Sequence, residues 1–231
     1  LINNYYDEST GEGILEFDGE LTNIGYQAFA YCGSLTSITI PDSVTTIEYA
    51  AFNNCSSLIS ITIGDSVTTI GVAAFYDCDS LTSVTIGDSV TTIGDSAFYD
   101  CGRLTEFKGK FASEDGRCLI VDGILNSFAP GGLTEYTIPD SVTTIGLGAF
   151  YYCNSLTSVN IPDSITTIGR GAFCGCDSLT SVNIPDSVTT IGDDAFIECD
   201  SLTSVTIGDS VTTIGEDAFY DCDSLTSVTI G

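Results

Sequence analysis

The sequence predicts a repeat solenoid, mostly parallel β-structure with short helical or 3₁₀ turns, and three regularities predict it. Four cysteines recur every 23 residues in the first half of the chain, and four more do so in the second. Ala-Phe pairs recur with the same step, and LTSVTI-like segments alternate apolar and polar residues as a half-buried strand does. Such self-similarity indicates stacked coils, each burying its apolar face against its neighbours.

One unit, residues 81–103, shows how each coil is expected to be built. LTSVTI predicts a strand, Gly-Asp-Ser or Pro-Asp-Ser turns the chain, and VTTIG predicts a second extended segment. The DSAFYDC stretch is too short for a stable helix, so it predicts a single helical or 3₁₀ turn. Positions that stay apolar in every copy predict the core, and here they are Leu81, Val84, Ile86, Val90, Ile93, Ala97, Phe98 and Cys101.

One coil is enlarged and breaks the pattern. The step from Leu104 to Leu133 is 29 residues instead of 23, and Gly109 stands where an inward Ile belongs. Asp122-Gly123 lies between two β-rich runs and predicts a hairpin at about 118–128, because such a two-residue turn needs positive φ. We expect this hairpin to project from the stack of coils or to cap over it.

The repeat boundaries predict a single solenoid domain over residues 1–231. Residues 1–23 would form an N-terminal partial coil or cap, with Leu15 and Phe17 pointing inward. Regular repeats would occupy residues 24–103 and 133–231, with the enlarged coil and its hairpin at 104–132. The chain stops at Gly231 directly after a strand. This predicts that the repeats continue beyond residue 231 or that two copies pair end to end as a homodimer.

Charge and composition restrict the function. Five basic residues stand against 32 acidic ones, and the net charge of −27 disfavours nucleic acid and anionic lipid as partners. The chain has no histidine, which excludes Ser-His-Asp and Cys-His catalysis and histidine-ligated metals. It also has no phosphate-binding loop or dinucleotide fingerprint. We therefore expect no enzyme, no metal and no cofactor, and no apolar run approaches the ~18 residues of a transmembrane helix.

Of the ten cysteines, the eight that follow the 23-residue register are best interpreted as core residues. Eight occupy one inward position in successive coils, whereas zinc sites need clustered spacing such as CxxC. Parallel side chains in neighbouring coils are also poorly aimed for a disulfide. Cys118 and Cys174 lie outside this register. We expect Cys174 to face solvent and to be the reactive thiol.

The unit Leu-x-x-Val-x-Ile-Pro-x-x-Val-x-x-Ile-Gly-x-x-Ala-Phe-x-x-Cys resembles the BspA-like leucine-rich repeat, also called the Treponema type, over about residues 12–231. The DGRCLIVDG…FAP pattern resembles an insertion that recurs in that family. The resemblance implies a leucine-rich repeat solenoid and a bacterial protein of the cell surface or of the extracellular space. It implies adhesion or protein binding, with a host or matrix protein or a glycan as partner, and any signal or anchor outside this chain.

The enlarged coil is also where the outward strand face departs from the repeat. Other coils carry Thr and Ser ladders there, and four of the five basic residues are in or beside this coil. Non-repeating residues on a repeating face are where specificity is expected. We predict a ligand-binding site at Thr82, Ser83, Thr85, Arg103, Thr105, Glu106, Lys108, Lys110, Arg117 and Glu135. The alternative is that the basic residues only pair locally with Glu106, Glu114 and Asp115.

Other functions stay open at this point. Uniform Thr/Ser ladders are compatible with a passive structural or spacer array, or with an ice-binding surface. Abundant carboxylates leave a carbohydrate-active β-solenoid open. However, Asp residues recur at fixed coil positions such as Asp65, Asp88 and Asp209. Such repetition is typical of turn and solvation residues rather than of one catalytic pair.

Overall fold

The computed structural model describes residues 3–7, 12–16 and 19–231. Its strands are β1 (Asn3–Asp7), β2 (Glu12–Glu16), β3 (Asn23–Ile24), β4 (Thr46–Ile47), β5 (Ser60–Ile63), β6 (Thr69–Ile70), β7 (Ser83–Ile86), β8 (Thr92–Ile93), β9 (Glu106–Gly109), β10 (Cys118–Val121), β11 (Ile124–Phe128), β12 (Glu135–Thr137), β13 (Thr144–Ile145), β14 (Ser158–Asn160), β15 (Thr167–Ile168), β16 (Ser181–Ile184), β17 (Thr190–Ile191), β18 (Ser204–Ile207), β19 (Thr213–Ile214) and β20 (Ser227–Ile230).

Stacked coils form two parallel faces, as the sequence predicts. The LTSVTI segments give one face, with sheets β5-β7-β9, β12-β14 and β16-β18-β20, and we call it the strand face. The VTTIG segments give the other, with sheets β3-β4-β6-β8 and β10-β11-β13-β15-β17-β19. Residues pair at a step of 23, as Thr69 does with Thr92. Like side chains therefore lie above one another along the stack.

The N-terminal segment is an antiparallel pair rather than a coil. β1 and β2 pair from Asn3 with Glu16 to Asp7 with Glu12. The inward orientation predicted for Leu15 and Phe17 lies outside what the structure describes. The first parallel pairing is that of β3 with β4.

Each Ala-Phe segment is a series of hydrogen-bonded turns, and the described residues contain no helix. In one coil, the N–H groups of Ala50 and Phe52 donate to the next coil, while those of Ala51 and Asn53 bond three residues back as in a 3₁₀ turn. Positive φ angles, such as 52° at Ala50, interrupt any helix. The predicted helical turns are thus 3₁₀-like turns, because half of their N–H groups hold the adjacent coil instead of their own.

The interior consists of columns of identical side chains. Phe rings stack at 5.1–5.3 Å from Phe29 to Phe98, and at 4.8–5.2 Å from Phe150 to Phe219. Thiols in the cysteine column donate to Phe carbonyls of the preceding coil, as Cys78 does to Phe52 at 3.4 Å. Two hydrophobic clusters result, and the buried residues of the enlarged coil are divided between them.

The predicted hairpin is confirmed, but its predicted placement is wrong. β10 and β11 pair antiparallel, and φ is 50° at Asp122 and 78° at Gly123, as a type I′ turn requires. β11 also pairs in parallel with β13, where Leu125 is in register with Ile145. The hairpin therefore lies within the VTTIG face, because the buried Leu125 supplies the inward residue of a missing repeat.

Candidate binding surface

A charged band crosses an otherwise uncharged strand face. Ser83 is in register with Glu106 and Thr85 with Lys108, so two charged groups continue the hydroxyl columns on β9. Beyond the enlarged coil, Glu135 is in register with Ser158. Among the described strands of this face, only β9 and β12 carry charged outward residues; the others carry Ser, Thr or Asn.

The band is interrupted by backbone from the enlarged coil. β9 and β12 do not pair, and no Cα atoms of the two strands come within 8 Å of each other. The space is filled in part by Gly116, whose carbonyl accepts from the Phe107 N–H at 2.7 Å. A Cβ at Gly116 would lie 3.1 Å from the Phe107 carbonyl oxygen, and its φ is 71°, so glycine is needed there.

Two lysines hold their charges at the surface of this band. Lys108 Nζ lies 2.6 Å from Glu106 Oε1, with both side chains about half exposed. Lys110 Nζ donates to the Asp88 carbonyl at 3.0 Å and lies 5.0 Å from the ring centre of Phe111. Arg103 is exposed at the start of the coil and makes no ion pair within residues 19–231. Local pairing therefore accounts for Lys108, but not for Arg103.

Arg117 has a structural arrangement that the sequence did not predict. One terminal nitrogen of its guanidinium donates to the carbonyls of Ala129 at 3.1 Å and Gly131 at 2.9 Å. It thereby closes the enlarged coil on itself. Its side chain does not pair with Asp115; only its backbone N–H bonds that carboxylate, at 2.9 Å. Of the ten predicted site residues, Arg117 is the one whose side chain is most engaged in hydrogen bonds within the fold.

Asp115 is the centre of a polar network under the band. Burial opposes its ionisation, but hydrogen bonds from the Ser113 hydroxyl, the Arg117 N–H and the Tyr136 hydroxyl outweigh burial and lower its pKa. The Tyr136 oxygen also lies 3.1 Å from the Cys118 sulfur. Burial raises the pKa of the Cys118 thiol to about 12, so this thiol stays neutral near pH 7.

The threonine hydroxyls of the predicted site differ in availability. The hydroxyl of Thr82 donates to the Ile59 carbonyl at 3.0 Å, and that of Thr105 to the Thr82 carbonyl at 2.9 Å. The same bond recurs in other coils, for example from Thr180 to Thr157. These hydroxyls tie adjacent coils together, which leaves Ser83 and Thr85 as the more available polar groups of β7.

A tyrosine cluster on the Ala-Phe edge was missed in the sequence. Tyr99 and Tyr151 each follow the Phe of an Ala-Phe pair, and both are half-buried. Their ring centres lie 3.8 Å apart, and Tyr152 packs edge-on against Tyr151 at 4.3 Å. Burial raises the pKa of both Tyr99 and Tyr151. The recurrence of Tyr at one coil position was the available signal.

The prediction for Cys174 is wrong. Its side chain is partly buried, because Tyr99 and Tyr152 of other coils pack against the turn that carries it, at Gly171 and Gly175. Burial and the nearby Glu198 raise the pKa of this thiol to about 12, so little thiolate exists near neutral pH. All ten cysteines are free, and the exposed one is Cys32.

Neither metal clusters nor membrane-spanning helices are found in the part of the chain that the structure describes. No group of three or more Cys, Asp or Glu residues there is arranged to hold a metal ion. No helix of sufficient length and apolarity to cross a bilayer occurs among the same residues.

The geometry defines the class of the protein as a leucine-rich repeat solenoid with one enlarged coil. Comparison with known families agrees, because residues 4–113 and 125–231 match the BspA type Leucine rich repeat region in six copies. The chain therefore belongs to the BspA-type leucine-rich repeat family. A search of curated proteins finds no match.

Solved structures of bacterial proteins share the fold. A leucine rich cell surface protein from Faecalibacterium prausnitzii A2-165 is 29% identical, with a TM-score of 0.61 over 91% of this chain and 70% of the other. A leucine-rich repeat protein from Eubacterium ventriosum is 24% identical, with a TM-score of 0.51 over 82% and 71%. The pneumococcal vaccine antigen PcpA is 19% identical, with a TM-score of 0.53 over 91% and 73%. The last two similarities concern the fold alone.

Proposed function

We propose that the chain is a non-catalytic binding or adhesion module of the cell surface or extracellular space, which recognises a protein or glycan through the strand face. The charged band of Glu106, Lys108 and Glu135 carries the proposal. It is where charged side chains replace the Ser, Thr and Asn residues that the other described strands of this face present. The similar Faecalibacterium protein, a cell surface protein by its description, supports the location.

The contacts indicate what kind of ligand the band would accept. Glu106 and Lys108 form an exposed pair with no net charge, and such a pair contributes only about 0–1 kcal/mol to folding. A ligand can therefore replace this pairing at little cost. Ser83 and Thr85 lie beside the pair in register and offer neutral hydrogen-bonding groups. A polar, uncharged or zwitterionic surface is the best complement, and a polyanion is the worst at a net charge of −27.

The proposal is tested with an array of glycans and matrix proteins, probed with and without calcium. The test variant combines Glu106→Ser, Lys108→Ser and Glu135→Ser. A matched control combines Asn160→Ser, Asn183→Ser and Thr206→Ser, which alter the same face in other coils. We expect the parent and the control to bind the same ligand and the test variant to lose at least about tenfold in affinity, or about 1.4 kcal/mol.

Each other outcome counts against a defined part of the proposal. Equal binding by both variants would show that the band is not the site, although the chain still binds. Binding to no ligand on the array would favour a passive structural or spacer role. Turnover of a polysaccharide that disappears after a single Asp replacement would overturn the non-catalytic assignment.

Two organisational predictions remain proposals. We treat residues 1–231 as one solenoid domain, with regular repeats at 24–103 and 133–231 on either side of residues 104–132. The end-to-end homodimer is tested by light scattering at high protein concentration, where a monomeric mass would exclude it.

A further inference from the structure

Backbone hydrogen bonds between Ala-Phe turns hold neighbouring coils together at one edge of the solenoid, which we call the turn edge. In a regular coil, the N–H groups of Ala73, Phe75 and Asp77 donate to carbonyls of the next coil at 3.0, 2.8 and 2.9 Å. The same arrangement recurs after the enlarged coil, where the Phe150 N–H donates to the Ala172 carbonyl at 2.8 Å. Every other N–H of the turn thus bonds to the coil that follows.

This ladder stops at the enlarged coil. The N–H groups of Ser96, Phe98 and Asp100 find no acceptor within the described residues, although they match the three donors of the preceding coil. On the far side, the carbonyls of Leu147, Ala149 and Tyr151 likewise accept no hydrogen bond from described residues. The physical reason is that the enlarged coil has no Ala-Phe turn, and the end of β11 occupies its level.

Side-chain packing closes the gap instead. The Tyr99 and Tyr151 rings stack at 3.8 Å with an interplanar angle of 23°. A Cβ at Gly148 would overlap the Tyr99 ring, so the ring lies directly on the backbone of that turn. Behind the two rings is a cavity of about 10 Å³, with Ser127, Cys101 and Cys153 in its lining. That volume is near the minimum for one water molecule.

Backbone hydrogen bonds close the enlarged coil on itself away from the turn edge. The Gly131 N–H donates to the Leu104 carbonyl at 2.7 Å, and the Phe107 N–H to the Gly116 carbonyl at 2.7 Å. Arg117 adds two more hydrogen bonds within this segment. The enlarged coil is thus bonded to the first group of coils on the strand face, where β9 pairs with β7, and to the second group on the VTTIG face, where β11 pairs with β13. Only the turn edge is closed by tyrosine stacking.

We propose that the enlarged coil is a hinge and that the Tyr99–Tyr151 stack is the clasp that closes it. The first and second groups of coils separate at the turn edge when the rings part, and they stay joined through the enlarged coil, which pairs with the first group through β9 and with the second through β11. Opening requires the loss of ring contacts but of no backbone hydrogen bond between the two turns. Elsewhere on the turn edge, separating two coils breaks three such bonds.

Native cysteines report on this opening. Cys153 lines the cavity at the junction and is 2% exposed, while Cys176, one coil further on, is 1% exposed. The Cys176 thiol donates to the Phe150 carbonyl at 3.1 Å, whereas Cys153 has no such bond to a described residue. The two thiols are matched in burial, but Cys176 is held by its hydrogen bond and burial raises its pKa well above the usual value, so the change in each rate on opening the stack is the decisive comparison.

The test is iodoacetamide alkylation of the folded protein at about pH 8.5, read out by peptide mass spectrometry. We expect Cys153 to react at least about tenfold faster than Cys176, because local opening precedes global unfolding. Tyr151→Ala should increase the alkylation rate of Cys153 by at least about another fivefold and leave the alkylation rate of Cys176 unchanged. The control Tyr220→Ala, at a 57% exposed position, should change neither rate.

Equal rates for Cys153 and Cys176 in the parent protein would overturn the proposal. The proposal would also be overturned by a folded Tyr151→Ala variant in which the alkylation rates of both thiols increase equally. Should that variant unfold, all cysteines would react together, and the parent protein then decides. Amide exchange gives a second measurement, since Phe75 should be strongly protected and Phe98, its equivalent at the junction, should not be.

Discussion

Replacing Phe173 by alanine tests the packing of the interior. Phe173 is 1% exposed, and its ring lies 4.8 Å from that of Phe150 and 5.0 Å from that of Phe196. Removal of a buried Phe costs about 3–5 kcal/mol, and each stacked pair contributes about 0.5–1.5 kcal/mol beyond buried area. With two stacks lost in mid-column, we expect Phe173→Ala to lower the free energy of unfolding by about 4 kcal/mol.

Phe29→Ala is the graded comparison. Phe29 is only partly buried and stacks, among the described residues, on Phe52 alone at 5.2 Å, so we expect about half the cost, about 2 kcal/mol. Urea unfolding followed by circular dichroism measures both, and tyrosine fluorescence is a second probe because the chain has no Trp. A cost for Phe173→Ala below about 1 kcal/mol, or no larger than that of Phe29→Ala, would refute continuous stacking.

Three further predictions address the junction, the carboxylates and the thiols. Arg117→Ala should destabilise the fold by about 1.5–3 kcal/mol, because two carbonyls lose a charged donor. The control Arg103→Ala, at an exposed position, should change stability by less than about 0.5 kcal/mol. Equal effects of the two substitutions in urea titrations would contradict this prediction. Burial, together with neighbouring carboxylates, raises the pKa of Asp77 and of Asp100. The folded state then binds protons more tightly than the unfolded state, so stability should increase as the pH falls from 7 through these raised values towards the unfolded pKa of about 4; a lower Tm at pH 5 than at pH 7, at constant ionic strength, would argue against it. Finally, the exposed Cys32 should be alkylated before Cys174, because burial raises the pKa of Cys174 to about 12; mass spectrometry at pH 8 that finds Cys174 modified first would contradict the structure.

The sequence predicts most of what lies within one coil. Alternation in LTSVTI places Val84 and Ile86 inside, and they are 0% and 1% exposed. Asp122-Gly123 predicts the hairpin, because a local φ requirement is expressed by local residues. These features depend on near neighbours in the chain or on the strict 23-residue repeat.

The junction could not be predicted in the same way. The enlarged coil has 29 residues where a regular coil has 23. How these residues are accommodated determines where the next coil lies, and the repeat pattern does not encode this. Tyr99 therefore meets Tyr151, 52 positions away, and Arg117 bonds carbonyls of its own loop instead of facing a ligand. Cys174 was mispredicted for a related reason, because burial at that edge depends on Tyr99 and Tyr152, which come from other coils.

Replacing residues 104–132 by a copy of residues 81–103 tests most directly whether regular coils are scaffold and the enlarged coil is the binding element. The change restores the 23-residue step and removes the charged residues of β9, the hairpin and the hinge. We expect this protein to fold at least as stably as the parent and to bind none of the parent's ligands on the glycan and matrix-protein array. Undiminished binding of the same ligands would contradict it.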